Sequence, residues 1–331
     1  MLLVGAGAMG RVHADAWAEI DAPVACVVDP DGGRARALAD RAGAHACTDL
    51  QAALARHPIG RGRAVEAVDV CVPTPAHVSV LAALPAGRYL VVTERPLGRD
   101  PAEARAAASA ARTAGYDLFV AHVVRFFPAY RAIAETVRER GADDVWHARL
   151  TRIGPAPRGA GDWFLDEGRS GGIFLDLMIH DLDFALDLFG PPGAVVARAG
   201  GAQAGGAARH GAAWLSYPGR RVVHLEASWM YDGPFTTAVD LNAAWGTLAL
   251  EPQSPTLELP AADGDGGGRR ARAPLARTPY GLELEAAWRA HAAGKAPPVD
   301  ADAAVRAVRL ASLCRDSARL GRTLPWPGDA P

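Results

Sequence analysis

The segment LLVGAGAMGRVHADAW, from Leu2 to Trp17, restricts the fold more than any other part of the chain. A short apolar run leads into Gly5, Gly7 and Gly10, spaced as G-x-G-x-x-G, and a helical pattern follows directly. That order permits a tight turn, a close approach of backbone to a ligand, and a helix amino end whose dipole favours anions. Downstream, β-branched runs alternate with alanine-rich helical patterns, which predicts a parallel sheet with crossover helices. Strands are expected near residues 2–5, 24–28, 68–72, 89–93 and 118–121, with helices over 9–20, 33–42, 77–84 and 102–114. After Pro128 the texture changes. A helix over 129–140 leads into longer alternating stretches at 146–153, 212–217, 222–229 and 237–242, the pattern of antiparallel strands with one covered face. Helical patterns over 282–293 and 301–320 close the chain, and the Gly-rich segments 200–208 and 261–273 read as surface loops. The expected architecture is an α/β Rossmann domain over 1–122 and an α+β domain over 123–331 built on a large, mainly antiparallel open sheet.

A dinucleotide suits this beginning. Gly5, Gly7, Ala8, Met9 and Gly10 are the candidates for cradling its pyrophosphate, the bland alternative being glycines that serve only the turn. Asp29 ends the second predicted strand 19 residues after Gly10. A carboxylate there accepts hydrogen bonds from the adenosine ribose hydroxyls and repels a 2′-phosphate, so NAD is favoured. Arg34 and Arg36 follow closely and soften the preference, which leaves NADP open.

The formal net charge of −2 over 331 residues gives no electrostatic case for nucleic acid or an anionic membrane. Cys26, Cys47, Cys71 and Cys314 are scattered without a C-x-x-C pair or a zinc-like spacing, which points to reduced thiols and no structural metal. The opening apolar run is too short for a signal peptide and lacks a basic leader, and no later run approaches the roughly 20 residues of a membrane span. The expectation is a cytoplasmic protein that acts on small molecules.

The stretch SGGIFLDLMIHDLDFALDLFG, Ser170 to Gly190, is apolar except for Ser170, one histidine and four aspartates. On a helical wheel Asp176, His180, Asp183 and Asp187 fall within about 60° of one another, and only Asp181 lies off that stripe. One reading is a narrow solvent face. Against it, solvent faces usually carry Glu, Lys and Arg, whereas this stripe holds poor helix formers with no basic partner at i+4. A divalent metal would also suit D-x3-H-x2-D, although the cofactor loop argues against a separate metal site.

Together with the glycine loop, four later stretches resemble the Gfo/Idh/MocA oxidoreductase family, and the resemblance runs along essentially the whole chain. VCVPTPAHVSV is similar to the segment that passes the nicotinamide ribose in that family, here Pro73, Thr74 and His77. TERPLGRD resembles the family's Glu-Lys-Pro signature, with Glu94 in place and Arg95 in the lysine position; the chain's only lysine is Lys295. The Ser170–Gly190 stretch resembles GG-x3-D-x3-H-D, which places Asp176 and His180 on the family's catalytic aspartate and histidine. AHVVRFFPAY, containing His122 and Arg125, is similar to the crossover between the family's domains.

The resemblance implies hydride transfer between nicotinamide and a secondary alcohol or ketone of a polyol, sugar or sugar derivative. His180 would exchange the proton, Asp176 would orient it, and Arg95 would stabilise charge on the reacting oxygen. His122, Arg125 and Trp163 are candidates for substrate contact, with a structural ion pair for Arg125 and a core position for Trp163 as the plain alternatives; His77 could instead cap its helix. A homodimer or homotetramer is also implied. Two other activities stay open: an NAD-dependent glycoside hydrolase, and a non-catalytic dinucleotide sensor, which the missing lysine favours.

Overall fold

The computed structural model describes residues 1–157, 160–201, 207–251, 256–259, 269–272 and 277–328. Three apolar residues form β1 (Leu2–Val4), and the glycine loop turns the chain into α1 (Ala8–Glu19). The pattern then repeats through β2 (Cys26–Val28), α2 (Gly32–Ala42), β3 (His45–Cys47), α3 (Leu50–Arg56), β4 (Ala67–Val70), α4 (His77–Ala83), β5 (Leu90–Glu94), α5 (Pro101–Ala114) and β6 (Asp117–Ala121). Next come α6 (Pro128–Arg140), β7 (Val145–Ile153), α7 (Glu167–Ser170) and α8 (Ile179–Phe189). Strands β8 (Ala194–Gly200), β9 (His210–Ser216), β10 (Val222–Ser228), β11 (Thr236–Ala243), β12 (Gly246–Leu250), β13 (Thr256–Leu259) and β14 (Arg269–Arg272) precede α9 (Pro279–Ala292), α10 (Ala301–Leu320) and β15 (Leu324–Pro325).

These elements form two units: Met1–Phe126 with Ala276–Val305, and Phe127–Leu275 with Arg306–Pro331. The division expected after residue 122 therefore does not follow chain order. The physical reason is α9, whose Leu284 and Ala287 are buried in the same core as Leu3, Trp17, Val92 and Phe119.

In the first unit six parallel strands run in the order β3-β2-β1-β4-β5-β6. Strand order reverses between β1 and β4, the switch point where open α/β sheets bind ligands. Helices on both faces require strands that are apolar on both, and Leu2, Leu3, Val68, Val70, Val91 and Val92 are all buried. The edge strand β3 and the helix α3 were not anticipated, because His-Ala-Cys is too short and too exposed to carry a period.

The second unit holds nine strands in the order β14-β13-β12-β11-β7-β10-β9-β8-β15. The expected antiparallel character holds for every pair except β7 with β10, which run parallel. Ala148, Leu150, Leu215, Val223, Leu225 and Val239 turn to the covered face. On the other face the Trp214 and His224 rings stack 4.8 Å apart and Arg149 pairs with Glu226. β14 lies inside the stretch expected to be a loop over 261–273; the rest of that stretch, and 202–206 of the other expected loop, lie outside the described residues.

Candidate active site

The glycine loop separates packing demands from ligand demands. Gly5 has φ +104°, and a Cβ on it would run into the Cys71 carbonyl; one on Gly10 would strike the Gly5 carbonyl. A Cβ on Gly7 would meet nothing within 4 Å. Two glycines are thus required by the protein's own packing, while the space at Gly7 is left open. Gly7 also caps α1 without a side-chain hydrogen bond and no acidic residue sits in the first turn, whereas Asp31, Asp49 and Asp100 cap α2, α3 and α5. Uncapped N–H groups and an open cradle fit the pyrophosphate of a dinucleotide. Ala8 is exposed and Met9 half-buried at this end.

Asp29 is 5% exposed and already engaged. Its Oδ2 accepts the Ala6 N–H at 2.8 Å and its Oδ1 accepts the Asp31 N–H at 2.9 Å. Arg34 Nη2 stands 3.3 Å from Oδ1. The carboxylate therefore ties the glycine loop to the loop after β2, and its charge is partly countered.

After β4, the exposed Pro73 precedes a short 3-10 turn, Thr74–Ala76, that leads to α4 and in which Thr74 is buried. His77 opens that helix but does not cap it. Its Nδ1 lies 2.9 Å from the Pro96 carbonyl and its Nε2 3.0 Å from the Val72 carbonyl, so the ring staples this segment to the signature loop. Burial lowers its pKa, and the two carbonyls pull the other way.

Glu94 ends β5. Its Oε2 accepts the Arg95 N–H at 3.0 Å and lies 4.0 Å from Arg95 Nε, while Oε1 lies 3.2 Å from His13 Nε2. Glu94 thus faces inward to other protein groups, and Arg95 is the partly exposed member of the signature, with a side chain 20% exposed. His122 is buried after β6, and Arg125 is half-buried in the 3-10 turn Val123–Phe126. Sequence reasoning passed over His13, although it shares one face of α1 with Trp17 at the i+4 spacing, where a histidine among apolar residues was the available signal.

In the second unit α7 ends at Gly171, φ +80°, and Ser170 Oγ accepts the Gly172 N–H at 3.0 Å. The chain then makes a π-helical turn, Phe174–Met178, before α8 begins. Asp176 lies within that turn and is 5% exposed; Asp183 is fully buried and His180 half-buried. Asp187 accepts from Arg138 Nη2 at 2.6 Å. The solvent-face reading of the stripe fails, because its polar groups are enclosed or paired. Asp181, the residue off the stripe, takes Arg152 Nε at 2.9 Å and Nη2 at 2.8 Å inside the unit. Trp163 is half-buried and stacks on Phe164 at 4.0 Å.

A doubly wound sheet with an open phosphate cradle in one unit, and in the other a mixed sheet with a helix bearing an Asp-x3-His pair, are the features of a two-unit nucleotide-binding protein. The chain belongs to the Gfo/Idh/MocA family: residues 1–122 match its model of an oxidoreductase family with an NAD-binding Rossmann fold, and residues 130–248 match its C-terminal domain. Inositol 2-dehydrogenase of Rhizobium meliloti (strain 1021) is 30% identical over 189 residues, 57% of this chain and 54% of that protein. UDP-N-acetylglucosamine 3-dehydrogenase of Acidithiobacillus ferrooxidans is 29% identical over 227 residues, 68% and 66% of the two chains. The alignments thus span about half to two thirds of these curated relatives. A crystal structure of the Acidithiobacillus enzyme superposes with a TM-score of 0.77 at 25% identity, covering 96% of this chain and 97% of that one.

Proposed function

We propose that the protein is an NAD-dependent dehydrogenase that interconverts a secondary alcohol and a ketone on a polyol, sugar or sugar derivative. The observation that carries this reading is the uncapped amino end of α1 beside the open cradle at Gly7. The names of the similar proteins, which act on inositol and on a nucleotide sugar, supply the substrate class. When bound, NAD accepts or returns the hydride. Asp29 receives the adenosine ribose, and Pro73, Thr74 and the peptide after Glu94 flank the nicotinamide ribose. His180 takes the proton from the substrate hydroxyl in oxidation and gives it back in reduction, and Asp176 orients its ring. Arg95 stabilises the developing alkoxide but does not shuttle protons, since a guanidinium does not deprotonate in proteins. His122, Arg125 and Trp163 are assigned to substrate contact.

The test is a panel of polyols, aldoses and ketoses assayed with NAD and NADP at the nicotinamide absorbance. Turnover on at least one member supports the reading; nucleotide binding without turnover on any of them favours the sensor, and sugar release without net absorbance change favours the hydrolase.

The four cysteines are free, and no described helix is long and apolar enough to cross a membrane; a cytoplasmic location is part of this proposal. The open sheet face bearing Trp214 and Val222 supports a homodimer or homotetramer, and light scattering on the purified protein should give a multiple of the 34.5 kDa chain.

A further inference from the structure

Near the carboxyl ends of β4 and β5 the first unit encloses a set of charged groups that the proposed chemistry does not use. His13 Nδ1 lies 2.8 Å from Asp69 Oδ2, and its Nε2 lies 3.2 Å from Glu94 Oε1. His13 and Asp69 are both 0% exposed. Trp17 Nε1 donates to the same Asp69 oxygen at 2.6 Å, and Cys71 Sγ stands 3.4 Å from the other. From α9 the Tyr280 ring approaches His13 at 6.2 Å, and Glu283 is fully buried.

Such a network is expensive to bury. An apolar packing of similar volume is often at least as stable, so a buried ionic chain is informative mainly through the geometry it specifies. Here one end of the chain is anchored in the sheet by Asp69. The other end is the carboxylate whose second oxygen holds the Arg95 N–H. We infer that His13 is a positioning residue: bridging Asp69 and Glu94 inside the unit, it locks the Glu94 carboxylate against the Arg95 N–H and so sets the direction in which the Arg95 guanidinium leaves the backbone. The inference rests on the reading of Arg95 as a group that faces nucleotide and substrate.

Charge balance supports it. With His13 as the imidazolium and Glu283 as the neutral acid, the two positive charges of His13 and Arg95 offset the two carboxylates of Asp69 and Glu94. A neutral His13 would leave two buried carboxylates against one guanidinium. Burial alone would lower the His13 pKa, but the charge of Asp69 and its hydrogen bond to the ring outweigh it and hold the ring well above its usual 6.5. Burial likewise pushes Glu94 up, and His13 and Arg95 bring it below its usual value. Thiol and phenol stay neutral, since burial raises both Cys71 and Tyr280. His13, Asp69 and Cys71 also bring a potential metal-ligand atom each within 4.8 Å, but the Trp17 N–H points at the Asp69 oxygen a cation would need.

Two measurements decide the matter. In the ligand-free wild-type protein, ring-nitrogen NMR shifts of His13 should report protons on both nitrogens throughout neutral pH; a ring that titrates near its usual 6.5 overturns the clamp. In parallel, NADH dissociation constants are measured for His13→Gln, Arg95→Ala and the double variant, with Glu94→Gln replacing His13→Gln should the latter not fold. Each single change should weaken binding about fivefold, and the double variant should be no weaker than Arg95→Ala, because a residue that acts through Arg95 has nothing left to position. Additive losses with a weakened Arg95→Ala overturn the positioning role alone. Wild-type affinity in Arg95→Ala overturns the Arg95 reading and this inference with it.

Discussion

Asp29 holds two backbone N–H groups and faces Arg34, and the proposed function adds a ribose to these demands, which makes its substitution informative in two ways. NADH should bind more tightly than NADPH, because the carboxylate repels a 2′-phosphate. Arg34→Ala removes the countercharge and should widen that preference by about fivefold, the scale of a half-exposed ion pair. Asp29→Ala should narrow the preference and also weaken both nucleotides, since the Ala6 N–H loses the acceptor that shapes the glycine loop. Fluorescence titration with the two reduced nucleotides checks all three; an unchanged ratio in Arg34→Ala would mean that the guanidinium does not act on the ribose site. His180 makes a sharper case. If it moves the substrate proton, His180→Ala should lower turnover about 10²-fold or more with little change in NADH affinity, and Asp176→Asn should lower it less. Near-normal steady-state rates in His180→Ala would remove the histidine from the chemistry.

The helix that carries this pair was legible as an element but not as a shape. A uniform wheel puts Asp176 and His180 one turn apart, yet Asp176 sits in the π-helical turn Phe174–Met178, where the i to i+5 spacing replaces that of an α-helix. Nothing in FLDLM announces such a turn. The absence of a basic partner at i+4 was correctly read as evidence against a solvent face, but partners come from other elements: Arg138 of α6 for Asp187, and Arg152 of β7 for Asp181. A period of two along β7 marks Arg152 as an inward position without saying what it meets. Its bidentate pair with Asp181, joined by the Tyr130 hydroxyl at 3.3 Å, pins α8 to the sheet. Burial lowers the Arg152 pKa, and the Asp181 charge more than restores it. Asp181→Asn should therefore leave a buried guanidinium poorly compensated and destabilise the second unit by about 3–5 kcal/mol, whereas Arg152→Met with Asp181→Leu should recover most of the loss. Urea unfolding of the three proteins is the check, and a double variant as weak as the single would show that the pair contributes net stability of its own.

At the scale of the whole molecule, chain order and fold part company. The G-x-G-x-x-G start predicted the parallel sheet because strand, turn and helix chemistry all lie within sixteen residues, Leu2 to Trp17. No local pattern shows that residues 276–305 return to the first unit, since that depends on which core Leu284 and Ala287 join. The return brings Glu283 against His13, Glu94, Asp69 and Arg95, and among the described residues neither of its carboxyl oxygens has a hydrogen-bond partner. Burial raises its pKa well above the usual 4.5. Between that ordinary value and the raised one the folded state keeps a proton the unfolded chain has lost, so each pH unit in the window removes about 1.4 kcal/mol of stability. His13 acts with the same sign from its ordinary 6.5 upward, because its pKa is also raised on folding. The first unit should thus lose stability as pH rises, opposite to a unit governed by salt-bridged carboxylates. Glu283→Gln keeps the shape and has no proton to lose. Its melting temperature should match wild type below pH 4.5 and exceed it by a margin that grows as pH rises above that value. A margin that is constant from acid to roughly pH 8 would show that Glu283 does not change its proton affinity on folding, and a margin that grows toward acid would reverse the sign and place an ionised carboxylate in the cluster.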